Sequence, residues 1–393
     1  MEARPLTLGL PRMHKEAGER RDFLPALVAQ VAGLGVEVAV ERGIGSGMGL
    51  SDADYASVSP RVRSVDHAEA YRQDVVLVLR CPEPHELGLM KRGATLISMI
   101  HFPTRPRRIA RLGELGLHAV SLDSIADDDG TRLVENMRAV GWNGVDAAFT
   151  ALETTLPEFR DASRGPIRVT VMGAGLVGKH AIEAATKYGD RGLAGELDEQ
   201  GFAGVEVTVL GRNLTHRWRH MRDRFLTTDI LVDATQRADP SVPLIPNAWL
   251  AWLPQHAVIC DLVVDPYVLD ASPPTVRSVE GIPRGNLDQF IFQAADPAWD
   301  ATVPAAVPSA NRRAVASCYS WPGVRPEACM ALYGRQLAPM LHALFTRGGV
   351  GGLRADGDFF ERALRRASLD AWTPGPAPAE EADHDEGEAS ALS

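Results

Sequence analysis

The sequence predicts an α/β protein with two Rossmann-like, doubly wound domains and a cleft between them, the nucleotide domain being inserted in the substrate domain. One observation is a series of short apolar runs that alternate with helical patterns, because buried parallel strands read as continuous apolar segments. The other is a glycine-rich turn within a second series of such runs. The length of 393 residues suits two domains, and 45% hydrophobic with 23% charged residues is ordinary globular composition.

The first part of the chain alternates strands with helical segments. Strands are predicted at 6–10, 36–40, 75–79, 95–100 and 118–122, and a helix at 23–34 that ends at a glycine. We therefore assign residues 1–135 to the first part of a substrate-binding, catalytic domain.

A long helix at 134–154 leads into the second series. Its strands are predicted at 167–172, 205–210, 230–233, 257–264 and 275–279, which assigns residues 136–303 to a Rossmann dinucleotide-binding domain. Helical patterns at 327–344 and 359–367 indicate that residues 304–370 return to the substrate domain. Residues 371–393 are rich in proline, alanine and acids, and we expect a disordered acidic tail.

Composition excludes several classes of protein. The net charge is −10, and about −4 without the six acids that follow Trp372, which disfavours nucleic-acid and anionic-membrane partners. The four cysteines are scattered and lack CxxC spacing, so we expect neither a disulfide framework nor a metal site. The sequence offers no apolar signal-peptide core and no membrane-spanning run. A cytoplasmic location is therefore expected.

The turn between the predicted strand at 167–172 and the following helix has the pattern GxGxxG. Gly173 permits a tight turn, Gly175 lets backbone amides approach a pyrophosphate, and Gly178 allows close packing of helix against strand. The pattern alone is weak, but the strand before it and the helix after it supply the required context. We expect these glycines to bind a dinucleotide.

The residue expected to bind the adenosine ribose indicates whether the dinucleotide is NAD(H) or NADP(H). An NAD site typically has a carboxylate at the end of the next strand. The strand predicted at 205–210 is instead followed by Gly211 and Arg212. Asp198 lies before that strand, in a polar stretch interrupted by glycines. Arg212 can pair with a 2′-phosphate, so NADP(H) is favoured and NAD(H) is possible. Alternatively Arg212 is a solvated surface charge, and Asn213 or the backbone holds the ribose.

Further segments carry motifs whose order and spacing are jointly specific. They are residues 9–12 with 19–25, the glycine-rich segment 43–47 with 51–55, the strand and turn 74–84, the strand end 98–103, and residues 259–265. Together these segments resemble the alanine dehydrogenase / pyridine nucleotide transhydrogenase N-terminal superfamily, which also contains lysine-forming saccharopine dehydrogenases. The resemblance covers roughly residues 6–345.

The resemblance implies roles for five residues. Arg20 matches the substrate-binding arginine of the family, and Arg80 replaces its lysine. His101 matches the strand-end histidine, Asp265 the aspartate that faces the nicotinamide, and Met137 a position near the nicotinamide. The chemistry agrees, since arginines bind a carboxylate, a histidine transfers protons near neutral pH, and an aspartate can order a water or an amine.

Each residue also has a structural interpretation. Arg20 lies in a charge cluster and could form a surface ion pair, and His101 could be a buried histidine whose hydrogen bonds are satisfied. Asp265 could cap a turn. Met137 lies on a long helix, where a methionine is usually part of the core. Arg80 follows an apolar strand, where a lone charge is harder to explain without a function.

The lysine-to-arginine change at Arg80 keeps a carboxylate-binding cation but removes a proton-transfer group. The leading hypothesis is an NAD(P)-dependent oxidoreductase that interconverts an amino acid and its 2-oxo acid, like alanine dehydrogenase, and a homo-oligomer as the family resemblance implies. The alternatives are a saccharopine- or opine-type reductase that joins an amino acid and an oxo acid through a secondary amine, and a non-catalytic dinucleotide-binding regulator. In the segment 318–327, Tyr319, Trp321 and Arg325 could line a pocket for a larger or more acidic substrate. Alternatively, this segment is a loop that packs Trp321 into the seam between the domains.

Overall fold

The computed structural model describes residues 5–12 and 16–372, and its strands form two six-stranded sheets. The strands are β1 (Thr7–Leu10), β2 (Glu37–Glu41), β3 (Val62–Val65), β4 (Val75–Arg80), β5 (Thr95–Met99), β6 (His118–Ser121), β7 (Ile167–Met172), β8 (Val205–Leu210), β9 (Ile230–Asp233), β10 (Val258–Asp261), β11 (Ile291–Phe292) and β12 (Ala314–Ser317).

Helices connect most of these strands, and simple local signals begin several of them. The helices are α1 (Pro25–Gly33), α2 (Asp52–Ala56), α3 (His67–Tyr71), α4 (Pro84–Leu87), α5 (Pro106–Leu115), α6 (Met137–Thr155), α7 (Leu176–Ala185), α8 (Arg191–Glu199), α9 (Arg212–Thr215), α10 (Trp218–Phe225), α11 (Ala298–Thr302), α12 (Pro326–Thr346) and α13 (Phe359–Arg366). Proline occupies the first turn of α1, α5 and α12, where its missing N–H costs nothing. Asp66, Asp190 and Asp358 cap α3, α8 and α13 by accepting backbone N–H groups.

The first sheet has the strand order β3-β2-β1-β4-β5-β6, and all its pairings are parallel. The order reverses between β1 and β4, and ligands of open α/β sheets bind at the carboxyl ends of the strands beside such a point. Strand β1 is fully buried and β4 is buried up to Arg80, which explains their continuous apolar sequences. The carboxyl edge of this sheet is therefore the expected place for a site.

Strand β3 is the member of the first sheet that the sequence did not indicate. It lies at the sheet edge, and only its two terminal valines are buried. Arg63 and Ser64 interrupt the apolar run between those valines, so the segment does not have the pattern of a strand buried on both faces.

The second sheet has the order β11-β12-β10-β9-β7-β8. Its strands are parallel except for β11, which pairs antiparallel with β12. The reversal of order falls between β7 and β9, beside the glycine-rich turn. The predicted class, α/β with two Rossmann-like domains, is confirmed.

Two predicted strands of this sheet need correction. The strand predicted at 257–264 ends at Asp261, because the Asp261 carboxylate accepts the backbone N–H groups of Val263 and Val264 and turns the chain. The strand predicted at 275–279 does not form. Its residues make only isolated bridges, and Arg277 in its middle directs its side chain to Asp261 instead.

The chain divides into two compact units. Within the described residues, one unit comprises 5–12, 19–136 and 325–372, and the other comprises 16–18 and 137–324. The second unit is thus inserted in the first, and the predicted beginning at 136 differs by one residue. The predicted return at 304 is too early, because β12 pairs with β10 and β11 and keeps the chain in the second unit until Val324.

The beginning of the tail predicted at 371–393 also differs from the structure. Ala371 and Trp372 donate backbone hydrogen bonds to Ser368, and the Trp372 ring lies 5.8 Å from that of Phe102. These two residues therefore belong to the first unit, and residues 373–393 lie outside the described part of the chain.

Candidate functional site

The glycine-rich turn of the second unit is built as a phosphate-binding loop requires. Strand β7 ends at Met172, and Gly173 follows with a φ of +93°, where a side chain would be strained. A Cβ atom at Gly178 would lie 2.2 Å from the carbonyl oxygen of Gly173, so only glycine lets α7 approach the turn this closely. A Cβ at Gly175 would meet no atom within 4 Å, which leaves its backbone open to a ligand.

This loop forms one wall of a cavity of about 630 Å³. The cavity is lined by the loop, by the segment after β8 and by the segment after β9: Gly173, Ala174, Gly175, Leu210, Gly211, Arg212, Thr215, His216, Ala234, Thr235, Gln236, Arg237, Ala238, Asp239, Val242, Pro243 and Leu244. The cavity lies at the point where the strand order reverses, and Gly175 leaves the backbone of the loop open to it. This arrangement fits a dinucleotide.

At the end of β8 the cavity presents a cation in place of the carboxylate of an NAD site. Gly211 and Arg212 follow the strand, and Arg212 is exposed in the cavity wall. Asp198 is an exposed residue of helix α8 and is not among the residues that line the cavity. Asp239 is the carboxylate of the lining, but it accepts hydrogen bonds from the backbone and hydroxyl of Ser241. Met137, the half-buried first residue of α6, is not among the lining residues.

Asp265 lies four residues beyond strand β10 and forms an ion pair. Nη2 of Arg237 donates to its Oδ2 over 2.5 Å, and the side chains of Arg237 and Asp265 are 8% and 30% exposed. Val264 before it has a φ of +57°, which is a genuine outlier for a β-branched residue and costs about 1–3 kcal/mol. The fold therefore fixes the position of Asp265 at the expense of a strained backbone.

A buried charged cluster, formed by Asp233, Asp261, Arg277 and Ser317, occupies the carboxyl ends of β9, β10 and β12. Arg277 is 1% exposed and pairs with Asp261, and its Nη2 also donates to Ser317 Oγ over 2.8 Å. Burial, followed by the charge of Arg284, lowers the pKa of Arg277 to about 9. Burial likewise raises the pKa of Asp233, and the charge of Asp265 adds to the effect.

The Ser317 hydroxyl completes the cluster, because it donates to Asp261 Oδ2 over 2.9 Å. Trp321 is 1% exposed and its Nε1 donates to the carbonyl oxygen of Asp261. Trp321 is therefore a buried packing residue of the second unit.

In the first unit, Arg80 and His101 lie at the carboxyl ends of adjacent strands. Arg80 is the last residue of β4 and is in register with Met99, two residues before His101. Arg20 lies in the segment that follows β1, and its Cβ would be 2.9 Å from a Cβ placed on Gly47, so the glycine-rich loop after β2 packs against it. All three candidate residues thus lie along one edge of the first sheet.

The charge cluster around Arg20 contains a buried ion pair that leaves Arg20 itself exposed. Arg21 binds both oxygens of Glu19, through Nε at 2.9 Å and Nη2 at 2.6 Å, and both side chains are buried. Burial alone would raise the pKa of Glu19, but Arg21 outweighs it and the charge of Arg80 contributes, so that pKa is lowered. The charge cluster therefore contains a buried Glu19–Arg21 ion pair next to the exposed Arg20.

His101 has a partner that the sequence did not indicate. Its Nδ1 lies 3.3 Å from Oδ2 of Asp123, and its backbone N–H donates to Oδ1 of the same carboxylate over 3.2 Å. Ser121 Oγ donates to Oδ1 over 2.7 Å. His101 is half exposed and has a φ of +59°, so it is neither buried nor relaxed, and the Asp123 carboxylate holds it in place.

The pKa of Asp123 reflects this arrangement. Burial on its own raises it, but the hydrogen bonds and charge of His101 and the Ser121 hydroxyl outweigh burial and hold the pKa well below its usual value. An ionised Asp123 that fixes the Nδ1 side of the ring leaves Nε2 to exchange a proton with a bound molecule.

The described residues show two further features of the chain. Cys81, Cys260, Cys318 and Cys329 are all buried. Among residues 5–12 and 16–372, no helix is long and apolar enough to cross a bilayer, and no three His, Cys, Asp or Glu side chains gather as metal ligands would.

Comparison with known proteins relates this geometry to a family. Residues 9–139 match the family model of the alanine dehydrogenase/PNT N-terminal domain. The chain is 27% identical to the alanine dehydrogenase of Halomonas elongata over 287 residues, which cover 68% of this chain and 72% of that enzyme. It is 28% identical to the NAD(P) transhydrogenase subunit alpha of Cereibacter sphaeroides over 196 residues, 47% of this chain and 36% of that subunit.

Solved structures agree on the fold. An L-alanine dehydrogenase superposes with a TM-score of 0.64 at 18% identity, over 92% of this chain and 94% of that chain. A transhydrogenase from Sinorhizobium meliloti superposes with a TM-score of 0.59 at 16% identity, over 91% and 97%. Residues 9–139 are therefore similar to the alanine dehydrogenase/PNT N-terminal domain, and the chain has the fold of these two solved structures.

Proposed function

We propose that the protein is an NADP(H)-dependent dehydrogenase that interconverts an amino acid and its 2-oxo acid. The observation that carries the proposal is the His101–Asp123 pair at the carboxyl edge of the first sheet, beside Arg80. Oriented histidines of this kind serve as acid/base groups, and arginines recognise carboxylates. The curated alanine dehydrogenases among the relatives support the same class of reaction.

Arg20 and Arg80 bind the carboxylate of the substrate in this proposal. Arginine does so through paired N–H donors, which orients the α-carbon as well as neutralising the charge. Because arginine does not give up its proton near neutral pH, Arg80 holds the substrate and takes no part in proton transfer. That task is left to His101, whose ring is fixed by Asp123.

Conversion of a 2-oxo acid and ammonia to an amino acid requires loss of water, and the reverse reaction requires its addition. His101 protonates the departing oxygen in one direction and takes a proton from the attacking water in the other. Asp265 orders the amine or the water, using Oδ1, since Oδ2 is engaged by Arg237. When bound, the dinucleotide supplies or accepts the hydride.

The cavity of the second unit holds the dinucleotide, with Gly173, Gly175 and Gly178 shaping the pyrophosphate site. NADP(H) is preferred over NAD(H), because Arg212 pairs with the 2′-phosphate and the strand end offers no carboxylate to repel it. Met137 contacts the nicotinamide end of the cofactor in this proposal, as the family resemblance implies.

A cofactor-consumption assay tests this function. NADPH and NADH are titrated separately, and 2-oxo acids are then screened with ammonia or with a second amino acid while absorbance of the reduced cofactor is followed. The proposal expects oxidation of NADPH with ammonia as the amine donor. Oxidation only with a second amino acid would replace it by a secondary-amine-forming reductase, and tight binding without consumption would indicate a regulator.

A further inference from the structure

Arg237 lines the nucleotide cavity and also holds Asp265, so it connects two parts of the proposed site. It lies in the segment after β9, between Thr235 and Asp239, which all belong to the cavity wall. The resemblance assigns no role to this residue. Its side chain is 8% exposed, and a guanidinium with so little access to water requires acceptors for its donors.

The acceptors come from separate segments of the chain. Nη1 donates to the carbonyl oxygens of Val242 over 2.8 Å and Pro240 over 3.3 Å, both in the cavity-wall loop. Nη2 donates to Oδ2 of Asp265 over 2.5 Å and to the carbonyl oxygen of Val276 over 2.6 Å. Arg237 thus fastens the loop that walls the cavity to the turn that carries Asp265.

These four hydrogen bonds distinguish Arg237 from Arg212, although both line the same cavity. Each Nη group of arginine carries two N–H donors, and those of Arg237 are all engaged. Its charge is also matched by Asp265. Arg237 therefore has no Nη donor left for a phosphate, whereas Arg212 is exposed in the wall.

The other side of this contact is strained. Val264 adopts a φ of +57° immediately before Asp265, and Asp261 accepts the N–H groups of Val263 and Val264 in the same turn. Such conformations persist only where surrounding contacts enforce them. The Arg237–Asp265 ion pair is the contact placed to do so.

We infer that Arg237 is a positioning residue, which fixes the Asp265 carboxylate against the wall of the nucleotide cavity. The inference rests on the proposed function, in which Asp265 orders the amine or the water. Arg237 touches neither the phosphates nor the substrate in this account. It acts through Asp265.

The test compares Arg237→Gln, Arg237→Lys and Asp265→Asn, the double variant Arg237→Gln/Asp265→Asn, and Arg212→Gln as the matched control from the same cavity. Turnover number, KM for the oxo acid and Kd for NADPH from nucleotide fluorescence are measured for each. Arg237→Gln is expected to lower kcat by about 10- to 100-fold, because small misplacements of a reacting group cost that much. Its Kd for NADPH should change less than about 3-fold, and Arg237→Lys should recover part of the lost kcat.

In the Asp265→Asn background, Arg237→Gln should lower kcat by less than about 3-fold further, since a residue that acts through Asp265 has nothing left to position. Arg212→Gln, by contrast, should raise the Kd for NADPH by about 10- to 100-fold, because it removes the cation proposed to pair with the 2′-phosphate. The inference is overturned if Arg237→Gln weakens NADPH as Arg212→Gln does with kcat intact, or if the Arg237 and Asp265 effects multiply independently.

Should Arg237→Gln not fold, the same comparison is made with Arg237→Lys. A wild-type chain that binds NADPH and turns over no substrate overturns the proposed function instead. The coupling between the two residues in the free energy of unfolding, measured by the same double-variant cycle, then decides whether Arg237 holds Asp265. Coupling supports that part of the inference and its absence overturns it.

Discussion

Nδ1 of His101 lies 3.3 Å from Oδ2 of Asp123, and the backbone N–H of the same histidine donates to the other carboxylate oxygen. One carboxylate therefore fixes both the ring and the backbone of the proposed acid/base residue. The backbone of His101 is held at a φ of +59°, a conformation that residues other than glycine adopt rarely.

Replacement of Asp123 by asparagine should lower kcat by about 10- to 100-fold, because the amide cannot match the charge and acceptor pattern that orients the imidazole. The Kd for NADPH should be unchanged, since Asp123 belongs to the first unit and the cavity to the second. Steady-state kinetics and fluorescence titration measure both. Asp129→Asn, at an exposed position in the same region, serves as control and should behave as wild type.

His101→Asn should abolish most turnover while keeping the fold and cofactor affinity. Asparagine tolerates the left-handed backbone conformation of this position but does not titrate, so only proton transfer is lost. A decrease in kcat of about 10²- to 10⁴-fold is expected. A variant with the wild-type rate would remove His101 from the mechanism.

Acid should weaken the first unit through Asp123. A carboxyl whose pKa is lowered in the folded state stabilises it above the usual pKa of about 4, and this contribution is lost as the pH falls toward the folded-state value. The free energy of unfolding of wild type should therefore fall below pH 4 more steeply than that of Asp123→Asn. Denaturant titrations at pH 7, 5 and 3 compare them, and parallel curves would contradict the assignment.

The contribution of Asp233 to the free energy of unfolding should change with pH in the opposite direction to that of Asp123. Burial raises its pKa, so ionisation above the usual value of about 4 costs free energy in the folded state, and stability falls as the pH rises toward the folded-state value. Asp233→Asn keeps an acceptor for Thr235 and should be more stable than wild type at pH 7. The difference should shrink toward pH 4. A destabilised variant at pH 7 would show that the charged carboxylate is needed there.

Arg212→Gln should weaken NADPH binding by about 10- to 100-fold, the value of a charge-assisted hydrogen bond of about 1.5–3 kcal/mol, and leave NADH binding nearly unchanged. Arg219→Gln is the control, because Arg219 lies on α10 outside the cavity lining and contacts Trp218. Equal losses for NADPH and NADH would mean that Arg212 does not read the 2′-phosphate.

The elements that carry the site could be predicted where their sequence pattern is local. The apolar run of β7 followed by GxGxxG, and the apolar strands that end at Arg80 and before His101, give the positions of the loop and the edge directly. Strands β3 and β12 could not be predicted in this way, because an edge strand with Arg63 and a short strand after a long irregular segment lack that pattern.

The partners of the site residues were the part that the sequence did not reveal. Asp123 follows β6 in a segment typical of an ordinary turn, and only the parallel pairing of β5 with β6 brings it to His101, 22 residues earlier. Arg237 and Asp265 are 28 residues apart, and Arg277 and Asp261 are 16 apart. Such pairs depend on the order of the strands in the sheet, and a local sequence pattern does not indicate that order.

The most direct test of the proposed reaction follows the nitrogen. The protein is incubated with NADPH, a 2-oxo acid found active in the screen and ¹⁵N-labelled ammonium, and the amino-acid product is examined by mass spectrometry. We expect the matching amino acid with one ¹⁵N per molecule, formed in step with NADPH oxidation and absent with His101→Asn. NADPH oxidation that yields a hydroxy acid or an unlabelled secondary amine would contradict the proposed function.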